Sequence, residues 1–278
     1  MGTIIDFHTH IFPPELIRER DRYLFRDDWF RLLYSSPRAQ MVTAEELVAS
    51  MEEAGIHAAV TFGFPFVDTG LCRVANDYVL EAVARYPGRL YGFAVVNPCA
   101  PESVHEVERC AAGLRGVGEL MPDAGGYALD DEEVMAPLAE TCRALGLPLL
   151  IHTSEPVGHV YAGKGSVRPE AAYAFARRFP EITIIYAHWG GGLPFYELMP
   201  EVRNTLRHVY YDTAASLYLY DDRIFRLLAE VVGPKILFAT DYPLIGQRRF
   251  LRHLKEVGLS ETMLINILGE NARRLLGE

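Results

Sequence analysis

Short runs of apolar and β-branched residues alternate with helical patterns along almost the whole chain. The runs cover 3–8, 58–63, 90–96, 116–120, 148–152, 182–188, 208–213 and 235–241. Most are nearly continuous in apolar residues, as strands buried on both faces of a parallel sheet are. Helical periodicity covers 43–55, 71–86, 130–146, 169–179, 194–206, 221–233 and 261–277. The first helix carries a capping box, Thr43 with Glu46 three residues on, and stops at Gly55. The helix at 130–146 has acids in its first turn and a glycine at its end, as the helix dipole favours. Pro200 interrupts the pattern at 194–206.

Eight strands alternating with helices predict βαβ units and a parallel sheet. Eight such repeats in 278 residues fit one (β/α)8 TIM-barrel domain over 1–278. An open doubly wound sheet would favour G-x-G-x-x-G after an early strand, and the chain lacks it. Gly190, Gly191 and Gly192 form a lone cluster, weak as a phosphate site. The stretch 11–42 is an insertion between the first strand and first helix, rich in arginine and aromatics such as Trp29 and Phe30. On a barrel it hangs over the C-terminal face, where active sites sit.

Polar residues punctuate the strand ends. His8 and His10 close the first strand, and Glu119 sits near the end of the fourth. His152 ends the fifth, His188 the sixth and Asp241 the eighth. All six potential ligands therefore face one mouth. Residues i and i+2 on a strand point to the same side, so the H-x-H pair can reach one ion together. Imidazole with carboxylate suits zinc, and also manganese, iron or cobalt. A chain of this length builds a core without metal, so a metal here serves function.

Charge narrows the partners. Arginine and lysine number 27 against 37 acids, a net −10 without a long basic run, which argues against nucleic acid. The cysteines Cys72, Cys99, Cys110 and Cys142 form no C-x-x-C pair and read as reduced thiols. No apolar run reaches the ~20 residues of a membrane helix, and no signal-peptide pattern opens the chain. The expectation is a cytoplasmic enzyme of small molecules, without membrane contact. A homodimer through the aromatic insertion is a further expectation.

Five segments carry a family resemblance: IIDFHTHIFPPE at 4–15, LPLLIHTSE at 147–155, IIYAHWGGG at 184–192, ILFATDYP at 236–243 and ILGENARRLL at 267–276. The chain resembles the amidohydrolase superfamily. Within it, the chain is similar to the amidohydrolase-related (amidohydrolase 2) group that includes aminocarboxymuconate-semialdehyde decarboxylase. The resemblance implies a divalent ion, zinc first and manganese second, held by His8, His10, His152 and Asp241, with His188 beside it. VGELMPDAGG at 117–126 resembles the strand-4 glutamate of TatD-like deoxyribonucleases. That would make Glu119 a ligand and allow a second ion. A salt-bridge role for Glu119 inside the barrel is the other reading.

The ligand set points first to a hydrolase of a small ester, lactone or amide. Asp241 is its general base, and His188 polarises a carbonyl, orients water or holds a second ion. The second reading is non-oxidative decarboxylation of an unsaturated or aromatic carboxylate. Lys164 or an arginine of 11–42 would then hold the carboxylate. His159, Tyr161, Lys164 and Arg168 follow the fifth strand on the rim. Lys164 reads as an anion contact or as a solvated loop charge. Trp189 reads as a pocket wall or as packing. Asp212 reads as a support for a ligand histidine or as a loop cap. Asp6 orients a loop or a ligand.

Overall fold

The structure is a computed structural model that describes residues 2–278. Its strands are β1 (Ile5–His10), β2 (Ala58–Phe62), β3 (Leu90–Ala94), β4 (Gly116–Leu120), β5 (Leu149–Ile151), β6 (Ile184–Tyr186), β7 (Val209–Asp212) and β8 (Ile236–Leu237). They lie in one sheet in chain order, and each pairs with the next in parallel. Phe7 N donates to Phe238 O at 2.8 Å and Asp241 N to His8 O at 3.0 Å, drawing the end of β8 onto β1. A (β/α)8 barrel results.

Two apolar layers hold it. Ile5, Phe7, Val60, Phe93, Leu150, Ile185 and Leu237 fill the barrel interior. A larger cluster, including Met51, Val79, Leu138, Phe175, Leu228 and Phe250, joins the helices to the outer face of the strands. Strands packed on both sides need apolar residues at successive positions, which explains their continuous runs.

The helix Ala44–Ala54 has both halves of the Thr43/Glu46 capping box, and Gly55 closes it at φ 73°. Glu132–Leu145 ends at Gly146 in the same left-handed conformation. Among the helices with no counterpart in the sequence reading, Ser103–Cys110 and Gln247–Glu256 are the longest. Each is short and mostly polar, with its few apolar residues on one face, so it lacks the apolar content that marks the other helices. Pro200 begins the helix Pro200–Thr205 rather than breaking one, since proline fits a first helical turn. The stretch 11–42 holds three short helices, Pro14–Arg18, Arg20–Leu24 and Asp28–Tyr34. Among the described residues, no helix is long and apolar enough to cross a membrane.

Candidate metal centre and active site

His8 and His10 stand two residues apart on one side of β1, so both rings point into the mouth, and a register shift between Asp6 and Thr9 lets Phe7 face the barrel interior as well. Their Nε2 atoms lie 3.2 Å apart. Asp241 Oδ1 is 3.7 Å from the first and 3.4 Å from the second. Glu119 Oε2 approaches the same pair, at 3.6 and 4.0 Å. Its other oxygen, Oε1, is 2.9 Å from His152 Nδ1 and 3.5 Å from His188 Nε2. The latter two nitrogens are 3.2 Å apart. Two groups that could hold a metal ion thus share one carboxylate: His8, His10 and Glu119, and Glu119, His152 and His188.

The outward nitrogen of three rings has its own partner. His8 Nδ1 meets Asp212 Oδ2 at 2.8 Å, His152 Nε2 meets Gly163 O at 3.0 Å, and His188 Nδ1 meets Ala214 O at 3.2 Å. Each acceptor places the ring proton on that side. It leaves the inward nitrogen a free lone pair, the form a metal ligand needs. Four imidazoles and two carboxylates, nearly all buried, fit a divalent cation by donor chemistry.

The backbone that presents these side chains is specialised. Asp241 and His188 lie beyond their strands, at φ 63° and φ 55°. A left-handed turn continues through Trp189, Gly190, Gly191 and Gly192, so the glycine cluster shapes backbone rather than a phosphate cradle. At Gly191 a Cβ would sit 2.4 Å from Ser154 O, which only glycine avoids. Asp6 ties the Asp241 loop to β1. It accepts from Thr240 N at 2.9 Å, Thr240 Oγ1 at 2.6 Å and Gln247 Nε2 at 2.8 Å. Burial raises the Asp6 carboxyl to about 6, against the pull of these donors.

Electrostatics follow from crowding in a dry pocket. Burial alone would raise the Glu119 carboxyl, yet the His8 and His152 imidazoles hold it well below its ordinary range. Asp241 is likewise lowered against burial, by His10, His8 and His188. Burial alone would lower the imidazoles. The carboxylates instead raise His8 well above its usual range and His188 to about 9. These are the values of the metal-free cluster.

The cluster floors a cavity of about 580 Å³. Its walls include Leu33, Tyr34, Phe64, Met121, Leu219 and Leu244. His159 and Tyr161 line it as well. Lys164 and Trp189 do not. Lys164 Nζ is held by Val157 O at 2.8 Å, His159 O at 3.1 Å and Glu155 at 3.4 Å, so it pins its own loop. Trp189 is wholly buried, donates to Ser216 Oγ at 2.7 Å and packs on Phe225. Arg168 donates weakly to Glu155 O at 3.4 Å. Asp212 takes both readings at once, since its Oδ1 accepts from the backbone of His188 at 2.9 Å and of Ala214 at 3.0 Å. Tyr34, Phe64, Met121 and Leu244 were not singled out from sequence. Only the aromatic density of 11–42 hinted at the first.

An eight-stranded barrel with histidines and carboxylates gathered at its C-terminal mouth has the architecture of a metal-dependent barrel enzyme. A family model described as amidohydrolase matches residues 5–277, and the chain belongs to that family. It is similar to a 2-amino-3-carboxymuconate-6-semialdehyde decarboxylase of Dictyostelium discoideum, at 25% identity over 98% of this chain and 91% of that one. A gamma-resorcylate decarboxylase of Polaromonas is 26% identical over 87% of this chain and 89% of its own. Among solved structures, a 5-carboxyvanillate decarboxylase of Novosphingobium aromaticivorans superposes with a TM-score of 0.79 at 20% identity. It covers 100% of this chain and 96% of the other, and was complexed with manganese and 4-hydroxy-3-methoxy-5-nitrobenzoic acid.

Proposed function

We propose that this protein is a metal-dependent non-oxidative decarboxylase of an unsaturated or aromatic carboxylate. The observation that carries it is a histidine–carboxylate cluster on the floor of a largely apolar cavity. Near-full-length similarity to proteins named as decarboxylases supports it. Read from sequence, hydrolysis came first and decarboxylation second. The relatives reverse that order.

His8, His10, Asp241 and Glu119 would hold one ion, and Glu119, His152 and His188 a second. Manganese or zinc suits this donor set, and manganese is the metal named for the structural neighbour. The metal supplies Lewis-acid polarisation of the substrate's oxygens. Asp241 and His188 line the cavity, and they are our candidates for proton transfer. In the reaction a C–H bond forms at the carbon bearing the carboxylate. The C–C bond to the carboxylate breaks, its electron pair returns to the unsaturated system, and carbon dioxide leaves. The apolar walls keep water from competing for the proton.

A second reading is favoured by Glu119 alone. A carboxylate facing two ligand groups is the arrangement of a two-ion site, and such sites activate water for hydrolysis. Products separate the readings. Manganese-loaded protein is given aromatic and unsaturated carboxylates, and separately esters and lactones. Carbon dioxide release that falls about 10²–10⁴-fold in Asp241→Asn supports decarboxylation. Ester or lactone cleavage without carbon dioxide would replace it with the hydrolase.

A further inference from the structure

We propose that the cavity selects ligands carrying a single anionic group, seated on the histidine–carboxylate floor, with an otherwise uncharged apolar body, and that the Tyr34 hydroxyl donates to that anionic group. The inference rests on the carboxylate reading above and narrows its substrate class.

Among the described residues, no lysine or arginine lines the cavity. The cations around it are engaged elsewhere. Lys164 is held by Glu155 and two carbonyls, and Arg26 pairs with Asp68. Arg20 donates to Ala39 O at 3.1 Å. Arg38 is exposed, beside the lining residues Ala39 and Gln40, without lining the cavity itself. The carboxylates that face the space are Glu119 and Asp241, and its other ionisable side chains are the floor histidines and tyrosines together with His159. A second carboxylate lying against Leu33, Phe64, Met121 or Leu244 would have no lysine or arginine to pair it. A buried unpaired charge is strongly disfavoured. One anionic group is accommodated, because bound metal neutralises it at the floor.

Tyr34 comes from the last turn of the helix Asp28–Tyr34 in the insertion. Its ring is stacked on Phe30 at 4.8 Å, with Phe12 at 5.3 Å and Phe64 at 5.9 Å edge-on, so the phenol is fixed in direction. Among the described residues no hydrogen bond reaches its hydroxyl, although the side chain lines the cavity. It lines the same cavity as Glu119 and Asp241. The same helix closes the roof. A Cβ at Gly163 would touch Leu33 Cδ2 at 3.7 Å, so the insertion meets the loop after β5 across the mouth.

The test uses manganese-loaded full-length protein and two probes of similar shape, 3-nitrobenzoate and benzene-1,3-dicarboxylate, with affinities measured by titration calorimetry. The expected result is at least a tenfold preference for the nitro compound, narrowed or reversed by Leu33→Arg. Tyr34→Phe is expected to weaken 3-nitrobenzoate about tenfold, with manganese content and Tm unchanged. Equal affinity for the two probes would overturn the selection and leave decarboxylation, read by carbon dioxide release, standing. Unchanged affinity in Tyr34→Phe would overturn the role of that hydroxyl. If neither probe binds while manganese is retained, both the selection and the carboxylate reading fall.

Discussion

The carboxylate of Asp212 meets the ring of His8 at 2.8 Å, and both side chains are completely buried. They stand 204 residues apart in the chain. The same carboxylate accepts from the backbone of His188, so one residue at the end of β7 supports side chains from both ligand groups. Asp212→Ala is expected to lower metal affinity about 10–100-fold. It should also destabilise the fold by about 1–3 kcal/mol, through the buried donors left unpaired. Metal content after dialysis and chemical denaturation read the two effects.

Glu119 faces, with its two oxygens, both groups of side chains that could hold a metal ion. At saturating manganese, two ions per chain are expected in the wild type and at most one in Glu119→Gln. Elemental analysis counts them. Two ions retained in Glu119→Gln would return Glu119 to a salt-bridge role.

The pH response should invert with metal. In the metal-free protein, His188 titrates at about 9, above its ordinary 6.5. Its protonated form stabilises the fold, fully below about 6.5, and that contribution is lost as pH rises through about 9. Tm in the presence of a chelator should therefore fall across this window. An ion needs the imidazole unprotonated, so metal affinity should rise over the same range. Melts with and without manganese at pH 6, 7.5 and 9 check both slopes.

Gly191 allows the left-handed turn that carries His188 to pass against Ser154. Gly191→Ala places a methyl on that carbonyl and strains the backbone. A loss of about 1–3 kcal/mol is expected, with weaker metal binding because His188 moves. A Gly192→Ala control meets no atom within 4 Å, although its φ of 100° still carries strain. It should perturb metal binding less.

Much of the barrel was legible because parallel strands buried on both faces leave continuous apolar runs, and glycine stops such as Gly55 and Gly146 mark helix ends. The H-x-H pair was legible because a two-residue strand period places both rings on one side. The helices Ser103–Cys110 and Gln247–Glu256 were not, since short, mostly polar segments carry few of the apolar residues that mark a helix. Trp189 follows His188 directly, yet the left-handed turn directs it into the core beside Phe225 rather than into the cavity.

By itself, then, the amino-acid order determined which residue types stand at the strand ends, and local periodicity is enough for that. Only the tertiary structure decided that Glu119 faces both ligand groups and that Asp212 supports both. It also decided that Lys164 turns away to Glu155 while Tyr34 lines the cavity from the insertion. Each of these depends on the direction of a side chain across contacts distant in sequence. A one-dimensional pattern carries no record of that direction, because closure of the barrel sets it.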